Sequence, residues 1–376
     1  MGALSPIYFY MYREQKTKSE RSVIIIYAFI GDLHLCAGKL PRMDYVRSLD
    51  KFLGIIKNHK EKCHGIIVAG DLFDHKLSVD ELEFAAAFLV NLACNGCGRD
   101  NREHVPVYFI HGTYTHDYEQ YEIFMPMLEK INNVRVFYTD TACVGTLENG
   151  VSILYLPQQY GDVDYSEHFS HEYDIIVGHG PLSSETKNPC KSTKYEIMHS
   201  AELLGSISKI CVFGHFHGYT DFGNNVFYTG PWLRWKYGED IDRVFFICND
   251  NFEVETIPND IALKYETFEV HSPDELRSMV SNDVKNPQRF IIHCKSDELP
   301  EYHGIMNAYK KNQYLKYQII SEDEDIDDMA LPEEHMTKPI VEPIPALIEY
   351  VKDKYNVDVS EEVKDYESRI NKDKQE

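Results

Sequence analysis

"VIIIYAFIGDLHL", residues 23–35, joins a run of apolar residues to a short polar motif. The run is rich in β-branched and aromatic residues and passes directly into Asp32-Leu-His34, so it predicts a buried β-strand that ends in a loop. Its eight apolar residues are too few to cross a bilayer, which takes about 20. The same junction of apolar run and polar motif recurs along the chain, and this repetition decides the fold class.

Five further runs have the same character: "GIIVAGD" (65–71), "VPVYFIHG" (105–112), "SILYLP" (152–157), "YDIIVGHG" (173–180) and "KICVFGH" (209–215). The segments between them include apolar residues at helical spacing, as in Val46, Leu49, Leu53 and Ile56. Residues 80–93 and 118–131 can likewise form helices. Strands that alternate with helices are typical of α/β proteins, in which functional sites gather at the carboxyl ends of the strands.

The composition changes after about residue 260. A small α+β unit is expected there, then an acidic linker that contains "SEDEDIDD", then amphipathic helices whose first apolar face includes Leu347, Ile348 and Val351. The predicted divisions are a flexible extension (1–22), a main domain (23–260), a cap domain (261–320), the linker (321–342) and a helical pair (343–376).

The charge balance weighs against nucleic-acid binding. With 38 basic and 61 acidic residues the formal charge is −23, and neutralising phosphates requires Lys and Arg. Residues 261–376 carry 26 of the acidic and 15 of the basic residues, and bound divalent cations would offset carboxylates locally. The balance therefore lowers the expectation of DNA binding without excluding it.

Cysteine usage and the first residues bear on the cellular location. The nine cysteines are scattered, several within apolar runs, which is typical of buried thiols in a reducing compartment. Residues 1–22 contain no secretory signal. We expect a soluble cytoplasmic protein with no membrane association.

Polar motifs stand where five of the predicted strands end: Asp32-Leu-His34, Gly70-Asp71-Leu-Phe-Asp74, Thr115-His116-Asp117, Gly178-His179 and Gly214-His215-Phe-His217. Residues at i and i+2 on extended backbone point the same way, so each D-x-H or H-x-H pair can share one metal ion. Mixed imidazole and carboxylate ligands suit Mn²⁺, Fe or Zn²⁺. Two such ions can activate water and hold the phosphoryl oxygens of a phosphodiester.

A structural role is the simpler explanation of any one of these motifs, since a single histidine near a strand end is more often structural than a ligand. Five motifs in this order, each at a strand end, favour the metal hypothesis over coincidence. A weaker signal, Trp232 with Arg234, Trp235 and Lys236, fits either a DNA-contacting loop or a packed aromatic loop.

The ordered motifs D-x-H, G-D-x-x-D, H-D, G-H and G-H-x-H resemble those of the calcineurin-like metallophosphoesterases. Within that superfamily the chain is similar to the SbcD-type nuclease subunits of the double-strand-break repair complex and their bacteriophage relatives. The likeness continues through "VFYTGPWLRW" (226–235), the small second unit and the C-terminal helices. The resemblance implies a sandwich of two central β-sheets flanked by helices, with a cap domain and a C-terminal helical pair.

The resemblance also implies roles for single residues. Asp32, His34 and His217 would bind one ion, His179 and His215 the other, and Asp71 would bridge both. His116 would assist departure of the leaving group or stabilise charge on the phosphate, and Asp117 would orient it. The family places an Asn ligand where this chain has Thr115. A hydroxyl is a weaker donor than an amide oxygen, and two extra residues after Gly112 leave Thr113 as an alternative, so we expect weaker binding of the second ion.

The function that the resemblance implies is a two-metal DNA nuclease of a bacterial cell or a phage-infected host. It would be an exonuclease and, as a further expectation, an endonuclease, acting in DNA repair, recombination or replication. The expected cofactors are two Mn²⁺ ions, with Mg²⁺ or Fe as alternatives, and the resemblance implies a homodimer. The chain has no G-x-x-x-x-G-K-[ST] motif, so ATP use would belong to an SbcC-type coiled-coil ATPase bound through Leu347, Ile348 and Val351. Two alternatives stay open: a stand-alone phosphodiesterase for small or cyclic nucleotides, and a catalytically weak scaffold.

Overall fold

A computed structural model of the protein describes residues 25–37, 42–58, 62–96, 104–147, 149–185, 187, 196–234, 237–238, 243–312 and 314–321. The predicted extension 1–22, the linker beyond residue 321 and the helical pair 343–376 lie outside the described residues. The proposed partner-binding residues Leu347, Ile348 and Val351 are therefore also outside them.

Seventeen strands occur in the described residues: β1 (Ile25–Ile30), β2 (Lys62–Val68), β3 (Val107–Ile110), β4 (Val136–Thr139), β5 (Cys143–Thr146), β6 (Ser152–Leu156), β7 (Tyr173–His179), β8 (Leu182–Ser183), β9 (His199–Ser200), β10 (Ser208–Gly214), β11 (Thr220–Gly223), β12 (Val226–Tyr228), β13 (Val244–Asn249), β14 (Val254–Pro258), β15 (Glu266–Val270), β16 (Gln288–Cys294) and β17 (Leu315–Ser321). The α-helices in the same part of the chain are α1 (Arg42–Asn58), α2 (Val79–Ala93), α3 (Tyr114–Asp117), α4 (Tyr121–Glu129), α5 (Ala201–Ser206), α6 (Pro273–Met279) and α7 (Leu299–Asn307).

Two six-stranded sheets form the main body, in the orders β14-β13-β1-β2-β3-β4 and β11-β12-β10-β7-β6-β5. The pairs β1–β2, β2–β3, β6–β7 and β7–β10 are parallel, whereas β13 joins β1 in antiparallel fashion. The predicted α/β class and the two-sheet architecture are confirmed. All six predicted strands occupy inner positions, while short outer strands such as β5 and β11 were missed because they have no continuous apolar run.

The core lies in layers on both faces of the sheets. On β1, Tyr27 and Phe29 belong to a cluster that also contains residues of the second sheet, such as Ile175 on β7. The alternate residues Ile26 and Ala28 belong to a cluster that includes α1, α2 and α4. Successive side chains of a strand point to opposite faces, so one apolar run fills both the space between the sheets and the space under the helices.

A smaller unit follows the second sheet in the chain. Strands β15, β16 and β17 form a parallel three-stranded sheet, with β16 in the middle. Its own cluster of buried residues includes Phe290, Ile292 and Tyr302. The unit falls in the range predicted as the cap, and helix α7 is an element that the sequence pattern did not reveal. No helix among the described residues is long and apolar enough to cross a membrane.

Candidate metal centre

The loops that follow β1, β2, β3, β7 and β10 meet at one end of the two sheets. The first two loops are joined by backbone hydrogen bonds from Asp32 N to Gly70 O (3.2 Å) and from His34 N to Asp71 O (3.0 Å). His215 N, after β10 of the second sheet, donates to the Asp32 carboxylate at 2.7 Å. Motifs 183 residues apart in the chain are therefore in direct contact.

Asp71 stands between two histidines that come from different sheets. Its Oδ2 is 3.6 Å from His34 Nε2, and its Oδ1 is 3.3 Å from His179 Nε2. Both the carboxylate and the two imidazoles are almost fully buried. His179 Nδ1 lies 2.8 Å from the carbonyl oxygen of Ala69, which can only accept, so the carbonyl keeps the proton on Nδ1 and leaves Nε2 facing the carboxylate. One carboxylate with an imidazole on each side is the arrangement expected of a bridging ligand.

The remaining predicted ligands extend each half of this arrangement. The rings of His34 and His217 have centroids 5.0 Å apart, and those of His179 and His215 are 5.4 Å apart. The histidines thus fall into the two pairs that the resemblance implied, one on each side of Asp71. Among the described residues, two groups have potential ligand atoms that all lie within 4.8 Å of one another. One group is Asp32, Asp71 and His179, and the other is His34, Asp71 and His116.

Asp32 provides a direct test of whether a cation fits. Its side chain is fully buried, and Oδ2 has no hydrogen-bond partner within the described part of the chain. Burial raises the pKa of this carboxyl to about 7, because the charged form lacks solvation. A bound cation would supply the missing counter-charge, and the carboxylate and imidazole donors present suit a divalent metal. The residues therefore fit metal ions in both halves of the site.

The charges at Asp71 and His179 are mutually dependent. Burial opposes ionisation of Asp71, yet the neighbouring His179 lowers the pKa of its carboxyl well below the usual range. Burial likewise opposes protonation of His179, but Asp71 raises its pKa to about 9. Metal ligands must bind as carboxylate and neutral imidazole, so ion binding here would release protons and be favoured as pH rises.

The backbone of the ligand loops differs from the extended geometry assumed from the i, i+2 spacing. Asp32, His34, Asp71 and His215 have φ values of 47°, 42°, 45° and 104°. Positive φ is uncommon for residues other than glycine and costs about 1–3 kcal/mol each. The pairs reach a common centre through tight left-handed turns rather than along a straight strand, and the surrounding fold must hold them there.

Two glycines allow the loops to approach this closely. A Cβ atom on Gly112 would lie 2.1 Å from Asp71 N and 2.3 Å from its Oδ1. A Cβ atom on Gly214 would lie 2.2 Å from the carbonyl oxygen of Ala69 and 2.8 Å from His179 Nδ1. A side chain at either position would therefore collide with the Asp71 carboxylate, the Ala69 carbonyl or the His179 ring, so these two positions require glycine.

The structure does not bring Thr115 to this cluster. Thr115 is exposed on the short helix α3, whereas Thr113 lies beside the bridging residue. The Thr113 N–H donates to Asp71 Oδ1 at 2.5 Å, and its hydroxyl is 3.2 Å from Asp71 Oδ2 and 3.4 Å from His179 Nε2. The two extra residues are taken up by the turn into α3, so the threonine nearest Gly112 reaches the site. The geometry thus favours Thr113 over Thr115 as the candidate ligand.

His116 lies at the site, but Asp117 does not orient it. The centroid of the His116 ring is 4.7 Å from that of His34, and His116 Nδ1 contacts the carbonyl oxygen of Asp74 at 2.6 Å. The Asp117 carboxylate instead accepts hydrogen bonds from Phe73 N at 3.1 Å and Gly112 N at 2.7 Å. The expected Asp117–His116 relationship is therefore corrected: the Asp74 carbonyl orients the imidazole, and Asp117 ties two loops together.

Sequence reasoning missed three polar residues at the centre. Asp74 Oδ1 is 3.2 Å from His34 Nδ1, and its place in the G-D-x-x-D motif could have identified it. Gln158 follows β6, so its position at the carboxyl end of a strand was an available signal. Glu196 Oε1 lies 3.6 Å from His215 Nε2, and no motif surrounds this glutamate.

The described part of the aromatic loop after β12 includes Trp232 and Arg234, and both are buried. Trp232 is 1% exposed and contacts the rings of Phe52, Phe88 and Phe245. It belongs to the packed core rather than to a DNA-contacting surface. Trp235 and Lys236 lie outside the described residues.

Comparison with known proteins places this site in a family. A profile of the calcineurin-like phosphoesterases matches residues 26–219, which is more than half of the 376 residues and includes all five motifs. No curated protein matches the chain. Metal-dependent hydrolysis of phosphoesters is the chemistry of this domain, and the buried carboxylates and imidazoles described above are suited to it. The chain therefore belongs to the calcineurin-like phosphoesterase family.

Proposed function

We propose that the protein is an SbcD-type DNA nuclease subunit that uses two divalent ions, preferably Mn²⁺, for exonuclease activity and, as a second expectation, endonuclease activity. The observation that carries the proposal is the position of Asp71 between His34 and His179, with a second histidine beside each of them. A single carboxylate shared by two imidazole pairs suits a pair of ions acting on one phosphodiester.

The predicted ligands would be shared between the two ions. Asp32, His34 and His217 would hold one ion, His179 and His215 the other, and Asp71 both. Ions bound in this way supply Lewis acidity and lower the pKa of water.

His116 would assist departure of the leaving group by donating a proton to the oxygen that separates from phosphorus. The Asp74 carbonyl accepts from Nδ1 and leaves Nε2 to exchange a proton with substrate.

Exposed aromatic side chains beside the centre support a nucleotide substrate. Tyr114 follows Thr113 directly and is 51% exposed, while Tyr160 is 43% exposed. Tyr160 forms an antiparallel backbone bridge with Glu196, whose carboxylate lies 3.6 Å from His215 Nε2, so Tyr160 is close to the centre. Nucleobases stack on such rings with little sequence preference. The two tyrosines are suited to hold the bases that flank a scissile phosphate.

The proposed partner is an SbcC-type ATPase that binds Leu347, Ile348 and Val351. The sequence pattern predicts an apolar helix face beyond a charged linker, and such a face suits helix-in-groove recognition. Truncation before Pro343 should preserve hydrolysis of a small chromogenic diester and abolish co-purification with the ATPase. Full-affinity binding of the truncated protein would contradict the assignment. A homodimer, also implied by the resemblance, is tested by the mass of the purified protein in light scattering.

A second candidate is a phosphodiesterase for small or cyclic nucleotides. The net charge of −23 favours it, because a strongly acidic protein repels a polyanion more than it repels a small diester. A catalytically weak scaffold is a third outcome, and it would bind metal with no turnover of either substrate.

One assay separates these functions. Purified protein with Mn²⁺ is given linear duplex DNA, or a cyclic nucleotide and a chromogenic diester, with and without the ATPase. Release of nucleotides from DNA supports the nuclease proposal, and Asp71→Ala is the matched inactive control. Turnover of small diesters alone, with DNA left intact in the presence of the ATPase, would refute it.

A further inference from the structure

A connected row of polar side chains lies beside the His179 half of the centre. The Thr113 hydroxyl is 2.9 Å from Gln158 Oε1, and Gln158 Nε2 donates to Glu196 Oε1 at 2.9 Å. Glu196 Oε1 is in turn 3.6 Å from His215 Nε2. Because Thr113 also contacts Asp71 and His179, the row runs from the bridging carboxylate around to the second histidine of this half.

Both residues that sequence reasoning missed in this row are buried. Gln158 is 6% exposed, and the Glu196 side chain is 7% exposed. Gln158 Nε2 donates a hydrogen bond to Glu196 Oε1, and the same carboxylate oxygen lies 3.6 Å from His215 Nε2. A buried carboxylate in this position can bind a divalent cation together with the neighbouring imidazole.

Backbone pairing fixes Glu196 in this position. Glu196 forms an antiparallel bridge with Tyr160, and Ile197 N donates to Gln159 O at 3.5 Å. Gln158 and Glu196 are thus carried on two chain segments that pair next to the site. The carboxylate is placed by the fold and not only by its own flexible side chain.

The spacing of the donor atoms is close to that of ligands on one ion, within about 0.2 Å for the longer pair. Two donors that each lie about 2.1 Å from the same ion are about 3.0–3.4 Å apart. Asp71 Oδ1 and His179 Nε2 are separated by 3.3 Å, and Glu196 Oε1 and His215 Nε2 by 3.6 Å. The distance between Glu196 and His215 is therefore similar to the distance between Asp71 and His179.

We propose that Glu196 supplies a carboxylate ligand to the second ion and so takes the place of the amide ligand that the family has in its third motif. Gln158 positions the glutamate through its amide N–H and holds the Thr113 hydroxyl through its amide oxygen. The inference rests on the proposed two-ion centre. A charged oxygen binds a hard cation more strongly than a hydroxyl does, so the second ion is retained despite the threonine.

The test is a measurement of metal binding that does not depend on turnover. Mn²⁺ binding to the full-length protein is followed by titration calorimetry and by counting free Mn²⁺ with electron paramagnetic resonance. The variants are Glu196→Gln and Glu196→Ala, with Glu202→Gln as the matched control, since Glu202 bonds to Ser184 instead of the centre. The wild type and the control should bind two ions, and the Glu196 variants should keep one and bind the other at least about 10-fold more weakly.

A cysteine variant distinguishes a ligand from a positioning residue. Thiolates prefer soft ions, so Glu196→Cys should gain affinity for Cd²⁺ relative to Mn²⁺, whereas Glu202→Cys should not. Thermal melts of the apo-proteins verify that each variant is folded. Two unchanged Mn²⁺ affinities in Glu196→Gln, or no Cd²⁺ preference in a folded Glu196→Cys, would overturn the assignment of Glu196. A wild-type protein that binds fewer than two ions would instead refute the two-ion centre.

Discussion

Replacement of Asp117 by alanine distinguishes two roles for the same residue. The carboxylate is fully buried and accepts from the backbone N–H groups of Phe73 and Gly112. Phe73 follows the bridging Asp71 by two residues, and Gly112 lies against the Asp71 carboxylate. Asp117 therefore holds the second and third motifs together. Its loss should change the geometry of the centre rather than proton transfer by His116.

The size of the effect follows from the two N–H groups. Each buried donor left without an acceptor costs about 1–3 kcal/mol, so Asp117→Ala should lower the free energy of unfolding by about 2–6 kcal/mol. For a domain of this size that corresponds to a fall in Tm on the order of 10 °C. Asp117→Asn keeps one acceptor and should lose about half as much. Metal affinity should fall by about 10–100-fold, as for other residues that support ligands.

The assay compares thermal melts, Mn²⁺ titrations and rates for Asp117→Ala, Asp117→Asn and His116→Ala. His116→Ala should keep its Tm and metal content and lose about 10²–10⁴-fold in rate, because it removes only the proton-transfer group. Asp117→Ala should lose stability and metal. If Asp117→Ala has the wild-type Tm and metal affinity and the rate defect of His116→Ala, then Asp117 acts through the histidine and the loop-clamp interpretation is wrong.

Three further predictions follow from particular contacts. Asp71→Ala should lose both ions, since each half of the centre uses the same carboxylate; retention of two ions by elemental analysis would contradict its bridging role. Gly112→Ala should bind Mn²⁺ about 10–100-fold more weakly, because its Cβ would lie 2.3 Å from Asp71 Oδ1, and unchanged affinity would show that the loops can separate without cost. Burial lowers the pKa of His199 from 6.5 to about 4. Below pH 6.5 the unfolded chain therefore takes up a proton that the folded protein does not. As a result, the free energy of unfolding falls by about 3 kcal/mol as the pH is lowered to about 4. Urea melts of the wild type and His199→Phe at pH 7 and 4.5 test this, and equal pH dependence in both proteins would refute it.

The sequence by itself was enough to predict six of the eight inner strands of the two main sheets, all except β12 and β13, and the end at which the site forms. Runs such as "VIIIYAFI" are buried on both faces, so they are continuous and easy to recognise. The motifs follow those runs because parallel strands bring their carboxyl ends to one edge. Short outer strands and helix α7 lack such a signal, and for this reason they appeared only in the structure.

The tertiary structure alone decided which donors in the third motif reach the centre. The sequence favoured Thr115 and left Thr113 as the alternative, and only the turn into α3 directs Thr113 toward Asp71 and leaves Thr115 in solvent. Asp117 is next to His116 in the chain, yet adjacent residues of a helix point in different directions, so its carboxylate reaches the backbone of another loop instead.

Glu196 shows the same limit most clearly. It carries no motif and lies 17 residues beyond His179, in a part of the chain with no recognisable period. A backbone bridge to Tyr160 brings its carboxylate to His215. Local patterns report the spacing of residues along one strand or helix, whereas contacts between separate loops depend on how the whole chain folds. The sequence therefore indicated where the centre lies, but only the fold showed which further side chains lie beside it.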